Sequence, residues 1–539
     1  MSAAAVTDVA QLDRQRLERE WRSRHNRWIV AMTVTLATFM EILDTSIANV
    51  SLPHIAGGLS AGIDESTWVL TSYLVSNAIV LPISGWFSNF FGRKRFYMAC
   101  VAMFTLSSFA CGLAPSLGML VFFRVIQGAG GGGLQPSEQA ILADTFTPEE
   151  FGMAFAVYGM AIVLAPAIGP TLGGYITDHL NWRWIFFINV PVGIISLLLS
   201  YRVVEDPPWI KEEVRTRKSA WGIDYIGFGL VAVGLGCLQV VLDKGQRDDW
   251  FQSQFIVGFS IVAAIALVAF VFWERTVETP VVNLKLFKER TFAMTNMMMF
   301  MVGVALFGTT VLLPQFLQQL LGYTAEQAGM VLSPGGFAII LLMPIVGSLV
   351  TRVDARWLIG CGFVMMALAL FKMTNLDQQV DFRTAMMYRV YQSVALAFLF
   401  VPITTMAYVG IPQEQNNTVS GMINLSRNIG ASVGISMVET MIARRSQFHQ
   451  NRLITRLTPY DMTLRQATQG LGAQLSHRGV VGPSAVSQAY SAIYQGVIGQ
   501  ATMQAYIDTI WAMAVACLFM VPLIFLMRKN EPGKAMQAH

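Results

Sequence analysis

Charged residues make up only 13% of this 539-residue chain, about half the share usual in a soluble protein. With 54% hydrophobic residues, that scarcity argues for an integral membrane protein. A soluble chain of this length would split into domains joined by polar linkers. Here the only long polar stretches are the N-terminus, residues 204–222 and residues 443–503. Cysteines number five (Cys100, Cys111, Cys237, Cys361 and Cys517), all in apolar segments without paired or metal-like spacing, so they read as buried free thiols. The six histidines show no metal-ligand spacing either. His-Glu-x-x-His does not occur, which leaves an intramembrane metalloprotease without support. The net charge of +4 sits in short patches between apolar runs, where topology signals belong, and does not indicate nucleic-acid binding. The first 27 residues lack an apolar core and are not a cleavable signal peptide.

What the chain has is hydrophobic length. A helix crossing hydrocarbon needs about 20 apolar residues. Fourteen runs qualify: 28–53, 65–88, 95–115, 118–142, 150–177, 184–203, 223–242, 253–273, 291–317, 325–350, 356–373, 384–410, 416–442 and 504–527. The first six and the last six form two groups, with the seventh and eighth inserted between them. The expected organisation is a cytoplasmic segment 1–27, a six-helix bundle 28–203, a cytoplasmic linker 204–222 and two inserted helices in 223–273. A second bundle over 291–527 and a cytoplasmic tail 528–539 complete it. Two repeated halves with a site between them suit alternating access, although no letter-by-letter repeat stands out.

Orientation follows from the bias of Lys and Arg. With the N-terminus inside, twenty-three fall in inner segments and five in short outer loops, so both termini are expected in the cytoplasm. Residues 443–503 fall outside and carry six Arg, but long loops translocate largely regardless of charge. Apolar residues at helical spacing in 484–500, after Pro483 and Ser484, predict that the last helix starts there and projects from the membrane. A polar loop is the competing reading.

Carboxylates inside spans are costly and mark ion or substrate pathways. Glu41 and Asp44 lie three residues apart in the first span and share one helix face. Desolvation and mutual repulsion disfavour ionising both, which suits a proton-coupled carrier; bonding of Asp44 to a neighbouring helix is the plainer reading. Glu41 is read equally as a contact for cationic substrate. Arg124 in the fourth span stays charged and needs an anion or carbonyls; the carboxylates of the first span are natural candidates. Glycines in 128–133 permit close helix approach. They are no phosphate loop, because no strand precedes them and Gly-Lys-Ser/Thr is missing. Glu138 lies fourteen residues after Arg124, about 20 Å along the helix, as a second proton or cation site or a solvated interfacial group. In the second half, Arg389, Arg427 and Glu439 sit in apolar contexts. Arg427 and Glu439 are out of register for direct pairing, and Arg427 reads as structural or, with Glu138 and Gln127, as substrate-contacting. Met297, Met298 and Phe307 suit a pocket for varied apolar ligands or plain lipid-facing packing.

Together these residues resemble the major facilitator superfamily, specifically fourteen-helix drug:proton antiporters of the EmrB type. LDTSIANVSLP (43–53) is similar to the family's first-span signature, with its Asp at Asp44. The fourth span carries the basic motif through Arg124, Gln127, Gly128 and Gly130. APAIGPTLGG (165–174) is similar to the antiporter motif of the fifth span, with Pro166, Gly169, Pro170, Gly173 and Gly174 allowing it to bend. WRWIFFINVPVG (182–193) is a further marker. The loop motif GWFSNFFGRKR (85–95) keeps Gly85, Gly92 and Arg93 but has Asn89 where many members place Asp, so its charge–dipole lock is expected to be weaker.

The resemblance implies an all-α fold of two six-helix bundles plus two extra helices, fourteen transmembrane helices in all, in a bacterial inner membrane. It implies proton-driven export of hydrophobic or amphipathic drugs, with Asp44, Glu41 and Arg124 in proton coupling. No cofactor or metal is implied, only the proton motive force. It also implies an EmrA-type membrane-fusion adaptor and a TolC-type outer-membrane channel, for which 443–503 would be the docking surface. Export of one metabolite or siderophore, and proton-coupled uptake, are the alternatives.

Overall fold

In hydrocarbon a backbone polar group must be satisfied within its own segment or a closed sheet, so each apolar run becomes a helix. The computed structural model describes residues 23–208, 210, 224–277, 280–412, 415–455, 457–458, 460–477 and 483–529. Most of the expected segments 1–27, 204–222 and 528–539 lies outside the described residues, among which no strand occurs. The helices of the first half are α1 (Arg27–Val50), α2 (Trp68–Phe91), α3 (Arg93–Leu113), α4 (Leu117–Thr145), α5 (Phe151–His179) and α6 (Trp184–Val203). Next come α7 (Tyr225–Lys244) and α8 (Gln254–Thr276). The second half holds α9 (Arg290–Leu321), α10 (Ala325–Val350), α11 (Ala355–Met373), α12 (Phe382–Ala407) and α13 (Asn416–Ile454). The shorter α14 (Met462–His477) and the long α15 (Pro483–Met520) follow.

Thirteen of these are long and apolar enough to cross a membrane. The expected span 416–442 is also helical, within α13, but falls below that measure because it is polar. Its Asn417, Asn424 and Arg427 are buried against neighbouring helices, so their polarity is turned away from lipid. The two halves meet where α5 packs on α10 and α2 on α13, whereas α7 leans on α2 and α8 packs chiefly on α7. Glycines set the spacing within α4. A Cβ at Gly128 would lie 2.3 Å from the Tyr73 carbonyl oxygen of α2, and one at Gly130 2.9 Å from the Phe104 nitrogen of α3.

Two helices outrun any bilayer. At 1.5 Å per residue the 39 residues of α13 span about 58 Å, against about 30 Å of hydrocarbon. The 38-residue α15 runs beside it. Arg445 and His449 of α13 both bond the Asp508 carboxylate of α15, at 2.6 and 2.7 Å, and α14 packs against α15. The described parts of 443–503 are therefore mainly helical rather than loop, and α15 starts at Pro483.

Candidate functional site

In the second half of α1, Asp44 is 2% exposed, and Arg124 of α4 is fully buried. Arg124 Nη1 donates to Asp44 Oδ2 at 2.5 Å. Gln127 Nε2 and Asn189 Nδ2 donate to Oδ1 at 3.1 and 2.7 Å. Arg124 also donates from Nε to the Val69 carbonyl at 3.0 Å and from Nη1 to Gln127 Oε1 at 2.8 Å. Its guanidinium lies 4.3 Å from the centre of the Tyr73 ring. A buried ion pair holds only when its remaining donors and acceptors are met, and here three helices meet most of them.

Glu41 lies on the same face of α1 yet has other partners. Tyr73 Oη and Asn77 Nδ2 donate to its Oε1 at 2.9 and 3.3 Å, and Gln135 Nε2 donates to Oε2 at 2.5 Å. No cation touches Glu41 among the described residues. Tyr73 joins the two acids, with its ring on Arg124 and its hydroxyl on Glu41. Glu138 is fully buried, three residues beyond Gln135 on α4, and accepts from Thr35 Oγ1 at 2.6 Å. It is neither solvated nor near Arg124.

A chain of polar contacts leads from Glu41 into the second half. Arg427 bonds Gln135 Oε1 and donates to Tyr158 Oη at 3.1 Å. Tyr158 donates to Asn424 Oδ1 at 2.8 Å, and Asn424 donates to Gln139 Oε1 at 2.9 Å. Glu439 does not meet Arg427 among the described residues. Met298 is buried and Phe307 half-buried, while Met297 is 44% exposed on the outer face of α9, so the three do not form one pocket wall.

The residues of the 85–95 motif meet the start of α13 at one end of the molecule. Gly92 takes φ 91°, a left-handed conformation that favours glycine, and starts α3 so that Arg93 reaches inward. Arg93 pairs with Asp144 and donates to the Ala140 carbonyl at 3.2 Å. Asp144 also accepts from Asn416 at 3.3 Å, and Asn417 donates to Asn89 Oδ1 at 2.6 Å. Gly85 leaves room for the Asn417 carbonyl, 3.2 Å from where a Cβ would stand. The missing acid at Asn89 is thus replaced by an amide–amide bond to the first turn of α13. On α5, Pro166 and Pro170 sit inside one continuous helix. Gly169 and Gly173 face Ser46 and Ile47 of α1, directly after Asp44, and Gly174 stands near the start of α10.

Tyr73, Gln135, Asn189, Tyr158 and Asn424 were not singled out from sequence. The available signal was helical spacing: Tyr73 and Asn77 are one turn apart, and Gln127 and Gln135 lie two turns apart on α4.

A helical bundle of this construction, with a buried acid–guanidinium pair in one half, defines a multi-pass membrane transporter. The Major Facilitator Superfamily model matches residues 34–435, and the chain belongs to that superfamily, whose members are transporters rather than enzymes. It is 36% identical over 468 residues to the multidrug export protein EmrB of Escherichia coli K12, covering 84% of this chain and 90% of that protein. It is 38% identical over 434 residues to EmrB of Haemophilus influenzae, covering 80% and 84%. The solved proton:xylose symporter XylE matches with a TM-score of 0.58 at 14% identity, over 95% of this chain and 98% of that one, a likeness of fold alone.

Proposed function

We propose that this protein exports hydrophobic and amphipathic toxic compounds by proton antiport. The observation that carries the reading is the Asp44–Arg124 pair, buried among α1, α4 and α6. A proton reaching Asp44 cancels its charge and releases the guanidinium, which keeps only Gln127 and the Val69 carbonyl. The helices held by the acid are then free to shift. Cargo that binds better to the state with Asp44 ionised drives the proton off, and only such differential affinity can move the equilibrium. Glu41 is a second control point, because its bond to Gln135 touches the same amide that holds Arg427.

The relatives named multidrug export proteins support drug-like cargo. The Lys and Arg bias supports cytoplasmic termini in an inner membrane, which makes the Asn89–Asn417 end the cytoplasmic one. The long α13 and α15 reach beyond the opposite surface and suit docking of an EmrA-type adaptor, with a TolC-type channel beyond it. No cofactor is needed; the proton motive force supplies the work.

The test is proton release on cargo addition to purified protein, together with efflux in proteoliposomes carrying a proton gradient. Asp44→Asn should abolish both. Efflux at the unmodified rate in that variant would refute the coupling role.

A further inference from the structure

The first half's Arg-Gln device is repeated in the second half without its acid. Phe123-Arg124-Val125-Ile126-Gln127 on α4 is matched by Tyr388-Arg389-Val390-Tyr391-Gln392 on α12. An aromatic residue, Arg, Val, any residue and Gln recur in the same order. The side chains repeat the same geometry. Arg389 Nη1 donates to Gln392 Oε1 at 2.9 Å, as Arg124 does to Gln127 at 2.8 Å. In the first half both members of the motif then bond Asp44. In the second half both bond Thr309 of α9, Arg389 at 3.3 Å and Gln392 more closely. Thr309 therefore stands in the place of Asp44.

The substitution of a hydroxyl for a carboxylate leaves a charge unanswered. Arg389 is 1% exposed; among the described residues, besides Gln392 and Thr309, it bonds only Thr310 Oγ1, at 3.2 Å. Its Nε has no partner among the described residues. Among the described residues no carboxylate comes within ion-pair distance of it. An uncompensated guanidinium inside a membrane bundle is costly, and an anion supplied from elsewhere recovers that cost through charge-assisted hydrogen bonds. Gly335 of α10 packs directly on Arg389 and Ser393, and Gly336 beside it faces Leu164 and Ala167 of α5 in the other half. Pro334 precedes them within the helix. This stretch of α10 thus packs on the Arg389 Cγ and backbone carbonyl on one side and on α5 on the other, while the guanidinium itself reaches Thr309 and Thr310 of α9.

We propose that Arg389 binds the acidic head group of amphipathic cargo, a carboxylate or sulfonate that takes the position Asp44 occupies beside Arg124. The inference rests on the export reading above and names a substrate class for it. The first half then carries the proton, on its own acid, and the second half carries an anion brought by the cargo.

The probes are decanoate and decyltrimethylammonium, of like chain length and opposite head-group charge, assayed for proton-driven export by the full chain in proteoliposomes. Arg389→Gln removes the cation. Thr309→Asp instead fills the site with an internal acid and keeps the guanidinium paired, so it guards against a mere folding defect. Both variants should lower decanoate export by about tenfold or more, as loss of a charge-assisted bond predicts. Export of decyltrimethylammonium should stay within about twofold. Parallel loss of both probes in both variants, or unchanged decanoate export in either, would overturn the assignment. Unmodified protein that moves the cation but never decanoate also overturns it, and leaves the export reading standing. Unmodified protein that moves neither probe against the gradient sinks the export reading itself.

Discussion

Gln135 on α4 touches Glu41 of α1 with its amide nitrogen and Arg427 of α13 with its amide oxygen. One neutral side chain thus lies between a buried acid of the first half and a buried base of the second. It keeps the two charges apart while tying both to the same helix. An amide cannot take up a proton here, so Gln135 links Glu41 and Arg427 by its position and not by passing charge between them.

Replacing Gln135 by Leu should cut that tie. Glu41 Oε2 loses its partner, a cost of about 1–3 kcal/mol for a stranded polar group, and Arg427 Nη2 keeps, among the described residues, only the 3.5 Å contact to Asn428 Oδ1. The expected result is a lower melting temperature in detergent and faster exchange of α13 amides with deuterium. Unaltered exchange would show that the bond does not hold the halves together.

The Asp44–Arg124 pair predicts a specific pattern in a double-mutant cycle. Asp44→Asn leaves Arg124 buried and uncompensated, with a loss of about 3–5 kcal/mol. Adding Arg124→Gln removes the stranded charge, so the double variant should be more stable than Asp44→Asn alone. Thermal unfolding of the three variants measures this, and strict additivity would mean the two groups are energetically independent.

At the closed end, Asn89→Asp would place a negative charge against the first turn of α13, where the helix dipole is positive. Stabilisation of about 0.3–2 kcal/mol is expected. Spin labels on α2 and α13 should report a larger share of the conformation closed at that end, with slower turnover. Distances that do not change would show that Asn89 already provides the whole latch.

The α5–α10 contact sets a steric limit. A Cβ at Gly152 would lie 2.3 Å from the Gly347 carbonyl oxygen, too near for a flexible side chain to relieve. Gly152→Val should force the two helices apart, costing about 1–3 kcal/mol and abolishing transport while membrane insertion survives. Cysteine cross-linking across the pair checks the separation.

The sequence carried the helical bundle almost completely, because apolar length alone compels a helix in hydrocarbon. It also pointed to Asp44 and Arg124, since charges inside spans have few places to go. Gln135, Tyr73 and Asn189 escaped notice because a neutral polar residue in a span can bond its own helix and carries no comparable penalty. The Arg-Val-x-Gln repeat escaped for a related reason. Four residues in a 539-residue chain are too few to register, and only the shared bonding to Asp44 and Thr309 makes them equivalent. The polar α13 shows the limit of hydropathy itself, which does not know that its asparagines face protein.

The length of α13 has a mechanical consequence. Its first turn is gripped by Asn89 and Asp144, and its far end stands beside α15. Over about 58 Å, a tilt of about 10° at the gripped end swings the free end by about 10 Å. Whatever seizes that tip therefore holds a long arm, through which a small rotation at the Asn89–Asn417 contact is read out as a large displacement.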